Sequence, residues 1–246
     1  MGHIEMQASH RRSCASLLAL LVLSTPAPAP ADDSVIDKVY HPYVQAMERE
    51  IEVRTTIENG AERSRGDRNL LRTGYGRALN DRWFGEAYLV SEYGSGGGFD
   101  LRSFEAEALW QLTEQGQYSA DWGLLFEAEK TRKQDSGEVA AALLVEKEWG
   151  RWSGTANLYG MYEFGAGVHD EFETALKMQV RLRQTVHFEP ALELYAGQNT
   201  RGIGPIALGS QPLGLARRLR WEAGLIFGLD DDTPDTTIRA AFEYEF

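Results

Sequence analysis

Hydrophobic and polar positions alternate strictly from Glu171 to Arg183. One set of alternate residues is mostly apolar: Phe172, Thr174, Leu176, Met178, Val180 and Leu182. The other set is mostly polar: Glu173, Ala175, Lys177, Gln179, Arg181 and Arg183. Because successive side chains of a β-strand point to opposite faces, this segment is predicted to be a strand with one apolar and one charged face.

The same alternation recurs along most of the chain and predicts strands at about 47–57, 70–79, 82–92, 101–112, 118–129, 138–148, 152–164, 171–183, 187–197, 203–210, 217–228 and 236–246. Strands of soluble sheets average about 5–6 residues, whereas a tilted strand needs about 9–11 to cross a bilayer. The pattern therefore predicts an all-β fold, an antiparallel transmembrane β-barrel of 10–12 strands. Twelve is favoured because an even count requires the weak strand at 203–210, which contains Pro205.

The connections between these strands are predicted to alternate in length. Leu79–Asp81 and Trp149–Arg151 are short, whereas Asn59–Asp67 and Lys130–Gly137 are longer and rich in charge or glycine. Short periplasmic turns and longer outer loops are typical of bacterial outer-membrane barrels. The short connections are therefore expected at the periplasmic end.

All six tryptophans fall where predicted strands leave or enter these short turns. They are Trp83, Trp110, Trp122, Trp149, Trp152 and Trp221. Indole rings concentrate at the boundary between hydrocarbon and headgroups, so six at one end of the strands predict an aromatic girdle. A soluble β-sandwich with the tryptophans in its core is the alternative, and it gives no reason for this clustering.

Composition narrows the function classes. The 246 residues have a formal net charge of −12, and a pI near 4.9 argues against a nucleic-acid partner, which would require clustered Lys and Arg. One cysteine excludes a disulfide scaffold and a cysteine-rich zinc module. The sequence contains no run of 18 apolar residues, so no membrane-spanning helix is predicted.

The first 31 residues are predicted to be a secretory signal peptide for the Sec route. Arg11 and Arg12 precede the apolar run Ala15–Leu23, and Ala29-Pro30-Ala31 places small residues before the cleavage point. Cys14 would leave with the signal. The expected organisation is a signal at 1–31, a periplasmic or lumenal segment at 32–46 and a barrel at 47–246.

The C-terminus carries a family resemblance. Ala240–Phe246 is an alternating strand ending in Phe, with Phe242, Tyr244 and Phe246 on one face, and it resembles the terminal signature of Gram-negative outer-membrane β-barrel proteins. The resemblance implies outer-membrane localisation, insertion by the barrel-assembly machinery and contact with the lipid bilayer and lipopolysaccharide. Asp37–Val44, Glu48–Glu52 and Trp221–Leu225 further resemble a group of uncharacterised proteobacterial outer-membrane proteins, a likeness that implies no activity.

The polar face of the strands is predicted to line the lumen, and carboxylates dominate it. The candidate lumen-lining residues are Glu86, Glu105, Glu107, Asp121, Glu127, Lys177, Arg181, Glu193, Arg220, Glu222, Arg239 and Glu243. Rings of carboxylates attract cations in pores, which favours a narrow passive pore for small solutes with a mild cation preference. The alternative is a closed structural or adhesion barrel with a salt-bridged lumen, and an outer-membrane hydrolase is less favoured.

No catalytic, cofactor-binding or metal-binding residue is predicted. His41, His169 and His187 are widely separated, and none shares an inward face with a serine that a base could activate. His169-Asp170 is the only outer pair of this kind. The acidic turn Asp230–Asp235 lacks the glycine and closing glutamate of a calcium loop.

Overall fold

The computed structural model describes residues 35–60, 68–93, 98–133, 135–166 and 171–246. In these ranges no helix is long and apolar enough to cross a bilayer. Twelve antiparallel strands form a closed barrel, each paired with its neighbours in sequence, and β12 returns to pair with β1. The strands are Arg49–Asn59 (β1), Arg68–Ala78 (β2), Trp83–Tyr93 (β3), Phe99–Gln111 (β4), Asp121–Thr131 (β5), Ser136–Trp149 (β6), Trp152–Gly165 (β7), Glu171–Leu182 (β8), Glu189–Ala196 (β9), Arg201–Pro212 (β10), Arg218–Gly228 (β11) and Thr236–Glu245 (β12).

This architecture confirms the predicted twelve-stranded barrel, and each strand begins and ends within three residues of its predicted bounds. The weak strand is real: β10 has 12 residues, and Pro205 lies on its outer face. The pairing between β10 and β11 is interrupted at Gly204 and Pro205. Proline has no backbone N–H for the ladder, which accounts for a local gap in an otherwise regular strand.

The predicted difference in connection length is wrong. We call the end where β1 begins and β12 ends the terminal rim, and the opposite end the far rim. Connections at the terminal rim have two to nine residues, and those at the far rim have four to eight. The prediction failed because strands β5 and β6 run into the segment Lys130–Gly137, while Leu112–Ala120 at the terminal rim lies outside β4 and β5.

Period-two alternation fixes which side chains enter the lumen. Along β1, Glu50, Glu52 and Arg54 are buried, while Ile51 and Val53 between them face outward and are exposed. The inner face is thus polar and the outer face apolar, as a bilayer-spanning barrel requires. The register of β3 against β4 shifts once, between Val90 and Ser91, so the alternation changes phase at that bulge.

Candidate functional site in the lumen

The barrel is not empty, because residues 35–47 run through its interior. We call this stretch the lumen segment. Its first side chain, Val35, packs beside Gly197 just past the far-rim end of β9, and Ile36 and Val39 are buried. At the other end Met47 is 89% exposed and adopts a φ of 65°, which reverses the chain into β1 at the terminal rim. The segment therefore descends from the far half of the lumen to the terminal rim.

One side of the lumen holds this segment by charge. We call it the charged wall, formed by Glu52, Arg54, Arg72 and Glu243 on β1, β2 and β12. Lys38 Nζ lies 2.6 Å from Glu52 Oε2 and 2.5 Å from Glu243 Oε1. Glu52 and Glu243 are directly opposed across the β1–β12 pair, so one ammonium neutralises two facing carboxylates.

Asp37 makes the reciprocal contact with the charged wall. Its carboxylate lies 3.2 Å from Arg54 Nε and 3.7 Å from Arg72 Nη1. Burial alone would raise the pKa of Asp37, but Arg54 and Arg72 outweigh it and hold that pKa well below its usual range. Burial would likewise lower the pKa of Lys38, yet Glu243 and Glu52 raise it well above its usual value. Both side chains stay charged at neutral pH.

The opposite side holds the segment without net charge. We call it the neutral wall, formed by Leu125, Ala140, Ala142, Leu144, Asn157 and Tyr159 on β5–β7. The Tyr40 backbone N–H donates to Asn157 Oδ1 at 2.7 Å, and Asn157 Nδ2 donates to the Tyr40 carbonyl at 2.8 Å. The Tyr40 ring packs in one cluster with the apolar side chains of this wall.

Further hydrogen bonds secure the segment towards the terminal rim. The Tyr40 hydroxyl donates to Glu107 at 2.7 Å, and His41 Nδ1 lies 2.5 Å from Glu146. The Tyr43 hydroxyl donates to Asp121 at 2.9 Å. Pro42 passes so close to β5 that a Cβ at Gly123 would lie 2.9 Å from the Pro42 Cβ. The inner surface of the barrel is thus complementary to individual side chains of the lumen segment.

Cross-strand register arranges lumen carboxylates into two rows. Each row follows directly opposed residues from strand to strand. The first row contains Glu245, Glu50, Glu86, Glu107 and Glu127, with Gly76 between Glu50 and Glu86. The second row contains Glu243, Glu52, Glu105, Glu129, Glu138, Glu163 and Glu171, with Gly74 and Tyr88 between Glu52 and Glu105.

Both rows climb along the wall, because the pairing direction is inclined to the barrel axis. The second row begins near the terminal rim on β12 and ends at Glu171, the first residue of β8 at the far rim. Like charges directly opposite one another destabilise a sheet. Such a row therefore costs the sheet stability unless cationic groups compensate it.

Two cavities lie on either side of the lumen segment. The far cavity has a volume of about 320 Å³, and Asp37, Glu105, Glu127 and Lys177 are among its lining residues. The near cavity has a volume of about 580 Å³, and Lys38 is among the residues that line it. Because the consecutive residues Asp37 and Lys38 line different cavities, the segment lies between them.

The structure places the twelve candidate lumen residues on the inner face, many of them in ion pairs or hydrogen bonds. Arg239 Nη2 lies 2.8 Å from Glu193 and 2.7 Å from Glu222. Arg220 Nε lies 2.5 Å from Glu245 and its Nη1 lies 3.7 Å from Glu243. The other contacts are Arg181 with Glu146 and Glu189, Lys177 over the Tyr159 ring, Tyr88 with Glu86, Arg72 with Glu105, Tyr40 with Glu107, Tyr159 with Glu127 and Tyr43 with Asp121.

Sequence reasoning missed two parts of this site. The first is the inner face of β1, where Glu50, Glu52 and Arg54 follow an alternation that is plain in the sequence. Together with Arg72 and Lys38, Arg54 makes the basic groups of the lumen more numerous than predicted. The second is the set of contacts that hold residues 35–47 in the lumen. The sequence left a periplasmic and a lumenal position open for residues 32–46, and it carries no periodic signal that decides between them.

The outer face carries aromatic side chains at both rims. All six tryptophans lie towards the terminal rim with their side chains on the outer face, and the rings of Trp83 and Trp110 stack at 5.1 Å. Tyr244 and Phe246 stack at 5.7 Å at the same rim, and Phe242 is exposed on the outer face of β12. A second belt at the far rim contains Tyr93, Phe99, Tyr162, Phe164 and Phe172.

The remaining candidate groups lie apart from one another. His187 contacts the Ser210 carbonyl at 3.0 Å at the terminal rim, and the pair His169-Asp170 lies outside the described residues. Asp230 accepts hydrogen bonds from the Thr233 N–H and hydroxyl, which closes the acidic turn. Two carboxylate triads have ligand atoms within 4.8 Å of one another, Glu48 with Glu50 and Glu245, and Glu50 with Glu52 and Glu86.

Comparison with solved structures identifies the architecture. The KdgM porin in complex with disordered oligogalacturonate matches 80% of this chain and 99% of its own, with a TM-score of 0.53 and 11% identity. An outer-membrane channel from Pseudomonas putida F1 matches 86% of this chain and 100% of its own, with a TM-score of 0.52 and 12% identity. No family model and no curated protein matches the sequence. The chain has the fold of an outer-membrane β-barrel.

Proposed function

We propose that this protein is an outer-membrane channel for small cations and that the lumen segment closes it at rest. The observation that supports this most is the pair of carboxylate rows that run from one rim towards the other. Facing carboxylates do not by themselves stabilise a barrel, because they repel each other across a strand pair. A path for cations needs such groups along its whole length.

The charge balance of the far cavity supports the cation preference. Its lining residues include Asp37 and nine carboxylates from β3 to β8, against Arg72, Arg102, Lys133 and Lys177. Walls of low dielectric constant focus the remaining negative potential along the lumen. The oligogalacturonate bound to the KdgM porin carries carboxylates. The acidic walls of this lumen would repel such an anion.

A closed barrel without transport is the second candidate, and the lumen segment favours it. Ion pairs to the charged wall and hydrogen bonds to the neutral wall hold the segment on both sides. A barrel with this segment permanently in place would serve as a structural or adhesion protein. The two candidates differ in whether the segment leaves the lumen.

Current through planar bilayers tests the channel. The reconstituted full chain under a salt gradient should show openings whose reversal potential has the cation-selective sign. Glu127→Lys, in the far cavity, should shift that potential towards anions. Glu114→Lys is the matched control, because Glu114 pairs with Arg82 in an exposed turn outside the lumen. A complete absence of current in several preparations, at any voltage, would favour the closed barrel.

We also propose that the protein is inserted into the outer membrane by the barrel-assembly machinery and contacts lipopolysaccharide there. The apolar outer face with its two aromatic belts supports this location. Fractionation of the native host should recover the mature chain in the outer membrane, migrating differently on gels before and after heating. Recovery as a soluble periplasmic protein would contradict the proposal.

A further inference from the structure

The lumen already binds one primary ammonium group, that of Lys38. Its Nζ lies within hydrogen-bond distance of Glu52 and Glu243, and 5.4 Å from the centroid of the Tyr40 ring. Glu52 and Glu243 lie on the paired strands β1 and β12, so the barrel wall supplies both carboxylates. The ammonium comes from the segment, and among the described residues the covalent connection from the segment to the barrel is the turn at Met47.

More acceptors surround this position than Lys38 uses. Carboxylate oxygens of Glu50, Glu52 and Glu86 lie within 4.8 Å of one another. The Tyr88 hydroxyl is 2.8 Å from Glu86 and 3.4 Å from Glu52, which ties these two carboxylates together. The local cluster thus places further carboxyl oxygens around the Lys38 ammonium.

Glu107 provides a separate acceptor on the wall of the same cavity. Its side chain is only 2% exposed, and Oε1 accepts the hydrogen bond from Tyr40. Among the residues that the structure describes, Oε2 has no hydrogen-bond partner although it is buried. A buried carboxylate oxygen without a donor is costly, so this atom favours a ligand that brings one.

The near cavity also has apolar side chains in its lining. Phe84, Leu109, Leu125 and Leu208 line it together with the carboxylates. A cavity lined by both carboxylates and apolar side chains fits a chain of methylene groups that carries ammonium groups. Hydrated metal ions gain nothing from the apolar part.

We propose that Lys38 occupies a binding site for linear aliphatic polyamines, which bind the near cavity by displacing the Lys38 ammonium from Glu52 and Glu243. The exchange replaces one ammonium by another, so no buried carboxylate is left without a cation. This inference rests on the proposed channel, and it names the class of solute that this channel takes.

Binding of spermidine to the full chain in detergent micelles, measured by calorimetry, tests the site without requiring any current. In the wild type the Lys38 ammonium competes with spermidine for Glu52 and Glu243, and its effective concentration is high because it belongs to the same chain. Lys38→Met removes this competitor, so spermidine should bind at least about tenfold more tightly. The triple variant with Glu52→Gln and Glu243→Gln should lose this gain. Lys130→Met is the control, because Lys130 forms an exposed ion pair with Asp135 and is not among the lumen-lining residues. The affinity of this variant for spermidine should equal that of the wild type.

Equal spermidine affinity in the Lys38→Met and triple variants would overturn the inference. If Lys38→Met fails to refold, Lys38→Gln replaces it, because an amide keeps a donor at this position without the charge. A potassium current with no effect of the variants on spermidine binding would leave the channel standing and reject the polyamine site. Tight, variant-sensitive binding without current would support the site and reject the channel.

Discussion

On the charged wall the lumen segment is held by ion pairs, whereas on the neutral wall it is held by packing and uncharged hydrogen bonds. Lys38 and Asp37 meet Glu52, Glu243 and Arg54 on one side. Asn157 and the apolar cluster around Tyr40 hold the other side. Ion pairs of this kind can be exchanged for other ions, but packing against a shaped surface cannot.

This difference assigns distinct roles to the two walls. A buried ion pair adds little net stability, yet removing one partner leaves an uncompensated charge and costs about 3–5 kcal/mol. The neutral wall instead fixes the position of the segment, because a two-point clamp from one side chain determines where Tyr40 lies. In the proposed channel, release of the segment depends on the ion pairs of the charged wall, and its position in the closed state depends on the neutral wall.

The largest effect is expected on the charged wall. Lys38→Met removes the ammonium that Glu52 and Glu243 share and leaves them only the longer contacts with Arg54 and Arg220. This should weaken the closed state by about 3–5 kcal/mol. At about 1.4 kcal/mol per factor of ten, the ratio of open to closed channels rises at least a hundredfold. Single-channel recording measures this ratio. Lys130→Met, at an exposed pair with Asp135, should leave it unchanged.

A smaller effect is expected on the neutral wall. Asn157→Ala removes both hydrogen bonds to the Tyr40 backbone, each of which contributes about 0.5–1.5 kcal/mol. Openings should become roughly ten times more frequent or more, with a wider spread of conductance levels because the segment loses its fixed position. The control is Asn80→Ala, in an exposed turn at the terminal rim. A larger effect from Asn157→Ala than from Lys38→Met would reverse the roles of the two walls.

The smallest effect concerns pH at the terminal rim. Burial raises the pKa of Glu48 from 4.5 to about 7. The negative charges of Glu245 and Glu243 add to this increase, whereas the positive charges of Arg220 and Arg218 oppose it. The folded protein therefore binds a proton between about pH 4.5 and 7 that the unfolded chain releases, so Glu48 makes stability fall as pH rises through this window.

Deprotonation of Glu48 also adds a negative charge at the channel entrance. Cation preference should rise modestly between about pH 6 and 8, since the raised pKa lies within that interval. Reversal potentials measured across this range check the increase. Glu48→Gln should give a shallower profile, and an unchanged slope in that variant would assign the titration to another group.

The barrel itself was predictable because its signals are local. Alternation in Glu171–Arg183 and similar stretches follows from the geometry of a single strand, and the strand lengths follow from the thickness of a bilayer. Even the weak strand around Pro205, β10, could be inferred, since an even number of strands was required. The inner positions of Glu86 and Arg239 follow from the same alternation.

The lumen segment was not predictable because its contacts are distant in sequence. Lys38 meets Glu243 across 205 positions, and Tyr40 meets Asn157 across 117. Nothing periodic in Asp37–Val44 indicates these partners. Which carboxylates pair with cations also depends on cross-strand register, which the one-residue shift between β3 and β4 alters. The charge balance of the lumen therefore required the structure.

The conductance of a variant that releases the lumen segment from both walls tests most directly whether this segment closes the lumen. Asp37, Lys38, Tyr40 and His41 would all be changed to Ser in the full chain, and refolding would be verified by heat-dependent gel migration. If the segment closes the lumen, this variant forms a continuously open, cation-selective channel, whereas the wild type is mostly closed. A correctly folded variant whose conductance equals that of the wild type would contradict the claim that this segment closes an acidic lumen.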